Sequence, residues 1–244
     1  MRIFNQIISV SYTVSTLIRD CFMNFLSHFY FDRYTTDCYH VIGTVLPDLL
    51  KNADKACNIH PEKLVDHPDK DVNSILQGWK KHLEVDKHFH SSAFFLHHSH
   101  QLKLILKPAI EGSVVKPFFL GHIALELILD NLLITTRKVK VDDFYSHLNQ
   151  VDIDKLTAFL NYSGLTDTSR FLKFFADFKS HAYLHTYAET AQISYALKRV
   201  CMRIWKDPFT PAQEEAMTAV LLQYRDLLKD DFMLIFNDVE LLLN

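Results

Sequence analysis

The chain has 244 residues, 48% hydrophobic and 23% charged, which suits one core-forming domain with or without an appendage. Its formal net charge of −3 leaves no broad basic field, so non-specific nucleic-acid binding is not expected. With only 5 glycines and 7 prolines, long helices are favoured over many short strands.

Residues 1–22 read differently from the rest. Met1-Arg2, Ile3-Phe4 and Ile7-Ile8-Ser9-Val10 hint at a signal peptide. However, Asn5, Gln6, Ser11, Thr13, Ser15 and Thr16 interrupt the apolar stretch, and no small-residue cleavage site precedes Met23. Nor can the stretch span a bilayer, which needs roughly 20 predominantly apolar residues. It reads as an extension or appended helix, with Met23 the natural start of a domain over 23–244.

Helical periodicity follows. Asp37 is an expected N-cap for a short helix containing Tyr39, Val41 and Ile42, which runs into Gly43-Thr44-Val45-Leu46-Pro47-Asp48. The polar stretch 51–71 reads as a loop or broken helix. A long helix is expected from Asp71 past His90 towards Leu106, stopped by Pro108. Pro117 suits the first turn of a helix to about Thr135. Asp142 opens a short helix through Leu148, and Asp152 the next, ended by Gly164. A helical stretch, bent midway, spans Thr168 to Trp205, and a last helix runs from Pro211 to Leu243. The expected fold is all-α, a single compact helical domain.

Cys21, Cys38, Cys57 and Cys201 are widely spaced and form no CxxC pair, which points to reduced thiols and a cytoplasmic location. The informative residues are among the 14 histidines. The segment Phe118–Ile134 is apolar almost all round and reads as a buried helix, yet His122, Glu126 and Asp130 fall on one stripe at i, i+4 and i+8. Ionised carboxylates there cost several kcal/mol each, an order-of-magnitude figure, unless paired or bound to a cation. His82, Asp86 and His90 repeat the spacing, on the same side as Ile75, Trp79 and Phe89 and opposite Lys80, Glu84 and Lys87. Two such stripes packed face to face predict a divalent-metal site. The alternative is that these groups pair with each other or with lysines and serve packing alone. Imidazole and carboxylate together suit Mn²⁺ first, then Fe²⁺ or Zn²⁺; Mg²⁺ suits an all-oxygen site better. His97, His98 and His100 read as a solvated face. His181 and His185, beside Phe174 and Phe178, read equally as an aromatic wall or a ligand pair.

Several stretches resemble the acyl carrier protein phosphodiesterases, a family of HD-domain-like helical metallohydrolases. They are Met23-Asn24-Phe25-Leu26-Ser27-His28, Gly43 to Asp48, Gly78 with His82 and Asp86, Glu126 with Asp130, and Tyr183-Leu184-His185-Thr186-Tyr187 followed by Ile193, Leu197 and Arg203. The resemblance covers most of 23–203. It implies metal-dependent release of 4′-phosphopantetheine from acyl carrier protein; charge and hydropathy lead us to expect no nucleic-acid or membrane partner. By the resemblance, His28, Asp48, His82, Asp86, Glu126 and Asp130 are candidate site residues. Lys80, Leu83-Glu84, His90 and Asn131 depart from the family pattern, and His90 and His122 offer replacement ligands. The ligands expected are His28, His82, Asp86, His122, Glu126 and Asp130, with Asp48 or His90 orienting or deprotonating water. Lys80, Lys81 and Lys87, or Lys198, Arg199 and Arg203, are the expected basic patch for an acidic carrier protein. Hydrolysis of another phosphoester, or a binding protein without catalysis, are the competing readings.

Overall fold

Capping side chains and prolines punctuate the chain into helices throughout the computed structural model, which describes residues 24–243. In order these are α1 (Phe25–Tyr30), α2 (Cys38–Ala53), a 3-10 turn (Pro61–Lys63), α3 (Lys70–Ser91), α4 (Ala93–Ala109) and α5 (Pro117–Thr135). There follow α6 (Val141–Gln150), α7 (Ile153–Tyr162), α8 (Ser169–His181), a second 3-10 stretch (Tyr183–Ala188), α9 (Ala191–Met202), α10 (Pro211–Leu228) and α11 (Met233–Leu243). No strand occurs among the described residues, so the fold is all-α. The expected extension over 1–22 lies outside the described residues.

Asp37 caps α2 as its sequence signalled, accepting from the Tyr39 and His40 amides at 2.9 and 3.2 Å. Elsewhere the boundaries differ from expectation. The cap of α3 is Asp69 rather than Asp71, since Asp69 Oδ1 accepts from the Asp71 amide at 2.9 Å. The helix expected to pass His90 breaks at Ser92, whose extended backbone lets its hydroxyl accept from Phe95 N at 3.1 Å and start α4. The stretch expected to bend between Thr168 and Trp205 is interrupted by Ala182 in the left-handed region at φ 44° and by the 3-10 stretch. The last helix is also two, parted at 229–232.

The apolar helix α5 is the hub, fully buried along most of its length, with α1, α4, α9, α10 and the second 3-10 stretch packed around it. It is long and apolar enough to cross a membrane by composition, but 83% of its most apolar window is covered by the rest of the chain. The closest crossings use glycine. A Cβ on Gly43 would sit 2.2 Å from the Ile75 carbonyl oxygen, and one on Gly78 would sit 2.2 Å from that of His40. The α2 and α3 backbones therefore touch, which no larger residue permits. Five residues beyond Gly43 lies Asp48, and one turn beyond Gly78 lies His82. This crossing sets the spacing of the candidate site.

Candidate metal centre

Four helices converge their polar side chains: His28 from α1, Asp48 from α2, His82, Asp86 and His90 from α3, and His122, Glu126 and Asp130 from α5. Two groups bring ligand atoms within 4.8 Å of one another and could each hold a metal ion: His28, Asp48 and His82, and separately His90, His122 and Glu126.

The first group is deeply buried, with His28 and Asp48 each 1% exposed and His82 3%. His82 Nδ1 lies 2.8 Å from the Thr44 carbonyl oxygen, an acceptor only, so Nδ1 carries the proton and Nε2 keeps its lone pair. That Nε2 points at Asp48 Oδ1, 3.9 Å away, and the His28 ring stacks on His82 with centroids 4.1 Å apart. Neither ring nitrogen of His28 and neither oxygen of Asp48 has a hydrogen-bond partner among the described residues. Burial, reinforced by the neighbouring His82, holds His28 well below the usual imidazole range, and burial likewise lowers His82. Burial, then the charges of Asp86 and Glu126, pushes Asp48 well above the carboxylate range. Two neutral imidazoles and a carboxyl with no partner are what a cation site requires before the cation arrives.

The second group behaves differently, because its members satisfy one another. His90 Nδ1 lies 3.1 Å from Asp86 Oδ1, and its Nε2 lies 3.0 Å from Glu126 Oε1. His122 Nε2 reaches the same Glu126 oxygen at 3.0 Å. Burial opposes charge on His90, but its contacts with the Asp86 and Glu126 carboxylates outweigh this and raise it to about 10. Burial opposes ionisation of Asp86 and Glu126 as well, and it is outweighed on Asp86 mainly by His90 and on Glu126 by His122 and His90, so both lie below their ordinary values. The result is an imidazolium held between two carboxylates. Glu126 Oε2 is left without a hydrogen-bond partner among the described residues, and so is Asp86 Oδ1, whose contact with His90 Nδ1 is an ion pair.

Asp130 is placed apart from both groups. Its Oδ1 accepts from the Ser27 amide at 2.8 Å and the Ser27 hydroxyl at 2.7 Å, and its Oδ2 from the Leu26 amide at 3.2 Å. It thus anchors the free amides at the start of α1 and fixes where His28 sits. Burial pushes it up to about 7 against the downward pull of those hydrogen bonds. Asn131 turns towards the second 3-10 stretch, donating to the Tyr187 carbonyl oxygen at 2.6 Å and accepting from Arg225 Nε at 3.1 Å.

A cleft of about 630 Å³ opens over the first group, lined by Asp48, His82 and Asp86, with Lys51, Lys87, His60 and Trp79 around it. Of the basic residues expected to meet a partner, Lys87 lines this cleft. Lys81 is tied to buried Asp32, Lys80 pairs with Asp66 at 3.3 Å, and Lys198 with Glu214 at 2.6 Å. The remaining histidines lie outside both groups: His98 Nδ1 meets Tyr224 Oη at 2.8 Å, and His181 and His185 are exposed on either side of Ala182. The Thr44 carbonyl was invisible to sequence reasoning, because a backbone group has no residue signature. Ser27 was visible only as part of the Met23–His28 stretch. No family model, curated protein or solved structure matches the chain.

Proposed function

We propose that the chain is a divalent-metal-dependent phosphodiester hydrolase of HD-domain-like fold, acting on phosphopantetheine linked to acyl carrier protein, as its sequence resemblance implies. The observation that carries the metal reading is the burial of His28 and Asp48 with four nitrogen and oxygen atoms left without hydrogen-bond partners among the described residues. In this reading one ion is held by His28, Asp48 and His82, because the second group is already neutralised internally. Two imidazoles and a carboxylate suit Mn²⁺, Fe²⁺ or Zn²⁺. When bound, such an ion lowers the pKa of water and offsets charge developing on phosphoryl oxygens.

The remaining roles belong to the chain. The Thr44 carbonyl fixes the His82 tautomer. Asp86, at the cleft wall and braced by His90, accepts a hydrogen bond from the attacking water and orients it. His90 is charged in this setting and cannot act as a base, so its role is to position Asp86. Lys51 and Lys87 line the approach and attract a phosphoryl anion.

The test is metal analysis and hydrolysis on one set of proteins: wild type, Asp48→Asn and His122→Ala. Wild type is expected to hold one equivalent of Mn²⁺ and to release 4′-phosphopantetheine from holo-acyl carrier protein. Asp48→Asn should lose both properties and His122→Ala should keep the ion. Full metal content in Asp48→Asn overturns the site. Cleavage of bis-p-nitrophenyl phosphate without cleavage of the carrier protein overturns the substrate alone.

A further inference from the structure

We infer that a second cavity, remote in composition from the metal cleft, is a binding site for a nucleoside phosphate. The cavity measures about 570 Å³, within the range of small-molecule sites, and shares no lining residue with the first. The last turn of α2 separates them, since Lys51 lines one and Asn52 the other.

Three features of its wall define the ligand. Arg199 and Arg203, four residues apart at the end of α9, both line the cavity. Like charges at this spacing repel, and an anion between them removes the repulsion. The Arg203 guanidinium is already oriented by the carbonyl oxygens of Lys51 and Asn52 and by the Asn52 side chain, whereas Arg199 is exposed with no acceptor among the described residues.

The second feature is aromatic. Phe174, Tyr183, Tyr187 and Tyr195 line the same space, and Tyr195 is 58% exposed, so a ring face is open for stacking. The third is polar: the Gln192 carboxamide lines the same space beside Tyr183 and Tyr187. A carboxamide offers a donor and an acceptor side by side, the pattern that matches the edge of a nucleobase. Guanidinium for phosphate, aromatic wall for base and carboxamide for base edge together describe a nucleotide better than a simple anion or an apolar tail.

The inference does not depend on the hydrolase reading, and its test is arranged to keep the two apart. Calorimetric titration of the full chain with AMP, in the presence of chelator, is compared with titration by adenosine and by inorganic phosphate. AMP should bind saturably, and each fragment should bind at least about tenfold more weakly. Arg199→Ala and Tyr195→Ala, both substitutions of exposed side chains that leave the core intact, should each weaken AMP by about tenfold, with melting temperatures unchanged. Absence of AMP binding overturns the inference. So does AMP binding of wild-type strength in both variants, or phosphate binding as tight as that of AMP.

Discussion

Substituting Gly78 by alanine tests the claim that a backbone contact, rather than any ligand side chain, sets the metal site. The added Cβ would lie 2.2 Å from the His40 carbonyl oxygen, 2.8 Å from Thr44 N and 2.9 Å from Gly43 Cα, where ordinary contact begins at 3.4 Å. All three obstacles are backbone, so no rotamer change relieves the clash. The α2 and α3 axes must separate locally by about 1 Å, and overpacking of this kind costs roughly 3 kcal/mol. For a chain of this size that corresponds to a fall in melting temperature of about 6–12 °C. The same displacement pulls His82, one turn along α3, away from the Thr44 carbonyl that it meets at 2.8 Å. Losing such an orienting hydrogen bond typically lowers metal affinity about 10–100-fold. Thermal melting followed by circular dichroism, and Mn²⁺ titration of the folded variant at low temperature, measure the two effects. A Gly78→Ala protein that melts within a degree of wild type and binds Mn²⁺ equally well would refute the reasoning.

Asp48→Asn should abolish metal binding yet leave the chelated protein as stable as wild type or more so, because it replaces a buried acid held far above its normal pKa with a neutral group of the same shape. Chelator should lower the melting temperature of wild type and not that of this variant. Asp130→Asn addresses pH dependence. Asp130 is raised from an ordinary carboxyl value to about 7, so its folded form binds the proton more tightly than the unfolded chain. Its contribution to stability is therefore fully present below about pH 4 and is lost as pH rises through 7. Melting curves of chelated protein across that window should show a downward slope in wild type that is reduced in Asp130→Asn; equal slopes would contradict it.

The helices were legible where a local rule decided them. Asp37 sits before an apolar run and caps α2, and Pro117 opens α5, because capping and proline geometry are properties of a few neighbouring residues. The break at Ser92 was missed although the sequence marks it twice: the buried residues of α4 (Phe95, Leu102 and Leu106) do not continue the stripe that ends at Val85 and Phe89, and the serine hydroxyl caps the new helix. The stripes in α3 and α5 were visible as polar groups on apolar faces, and the structure brings both together. How they divide was not visible. Spacing of four placed Asp130 beside Glu126, but the start of α1, over a hundred residues earlier in the chain, supplies the amides that occupy Asp130. Periodicity also could not separate a histidine paired with carboxylates, such as His90, from one without a hydrogen-bond partner among the described residues, such as His28.

That last difference ties stability to chemistry. Leaving a buried polar group unpaired costs about 1–3 kcal/mol, and among the described residues His28 and Asp48 both stand in that condition. A fold with a stability of about 5–15 kcal/mol gives up a sizeable share of it to keep these two groups bare. A cation present at a hundred times its dissociation constant returns about 2.7 kcal/mol, comparable with the penalty. Asp48 follows the glycine crossing of α2 and α3, and His28 lies on α1, which packs against the α5 hub. The second group needs no such support, since its imidazolium already supplies the positive charge that its two carboxylates require. The described residues thus include one position where positive charge is built in and one where a cation could supply it. Both reach the same cleft, the first through Asp86 and the second through Asp48 and His82.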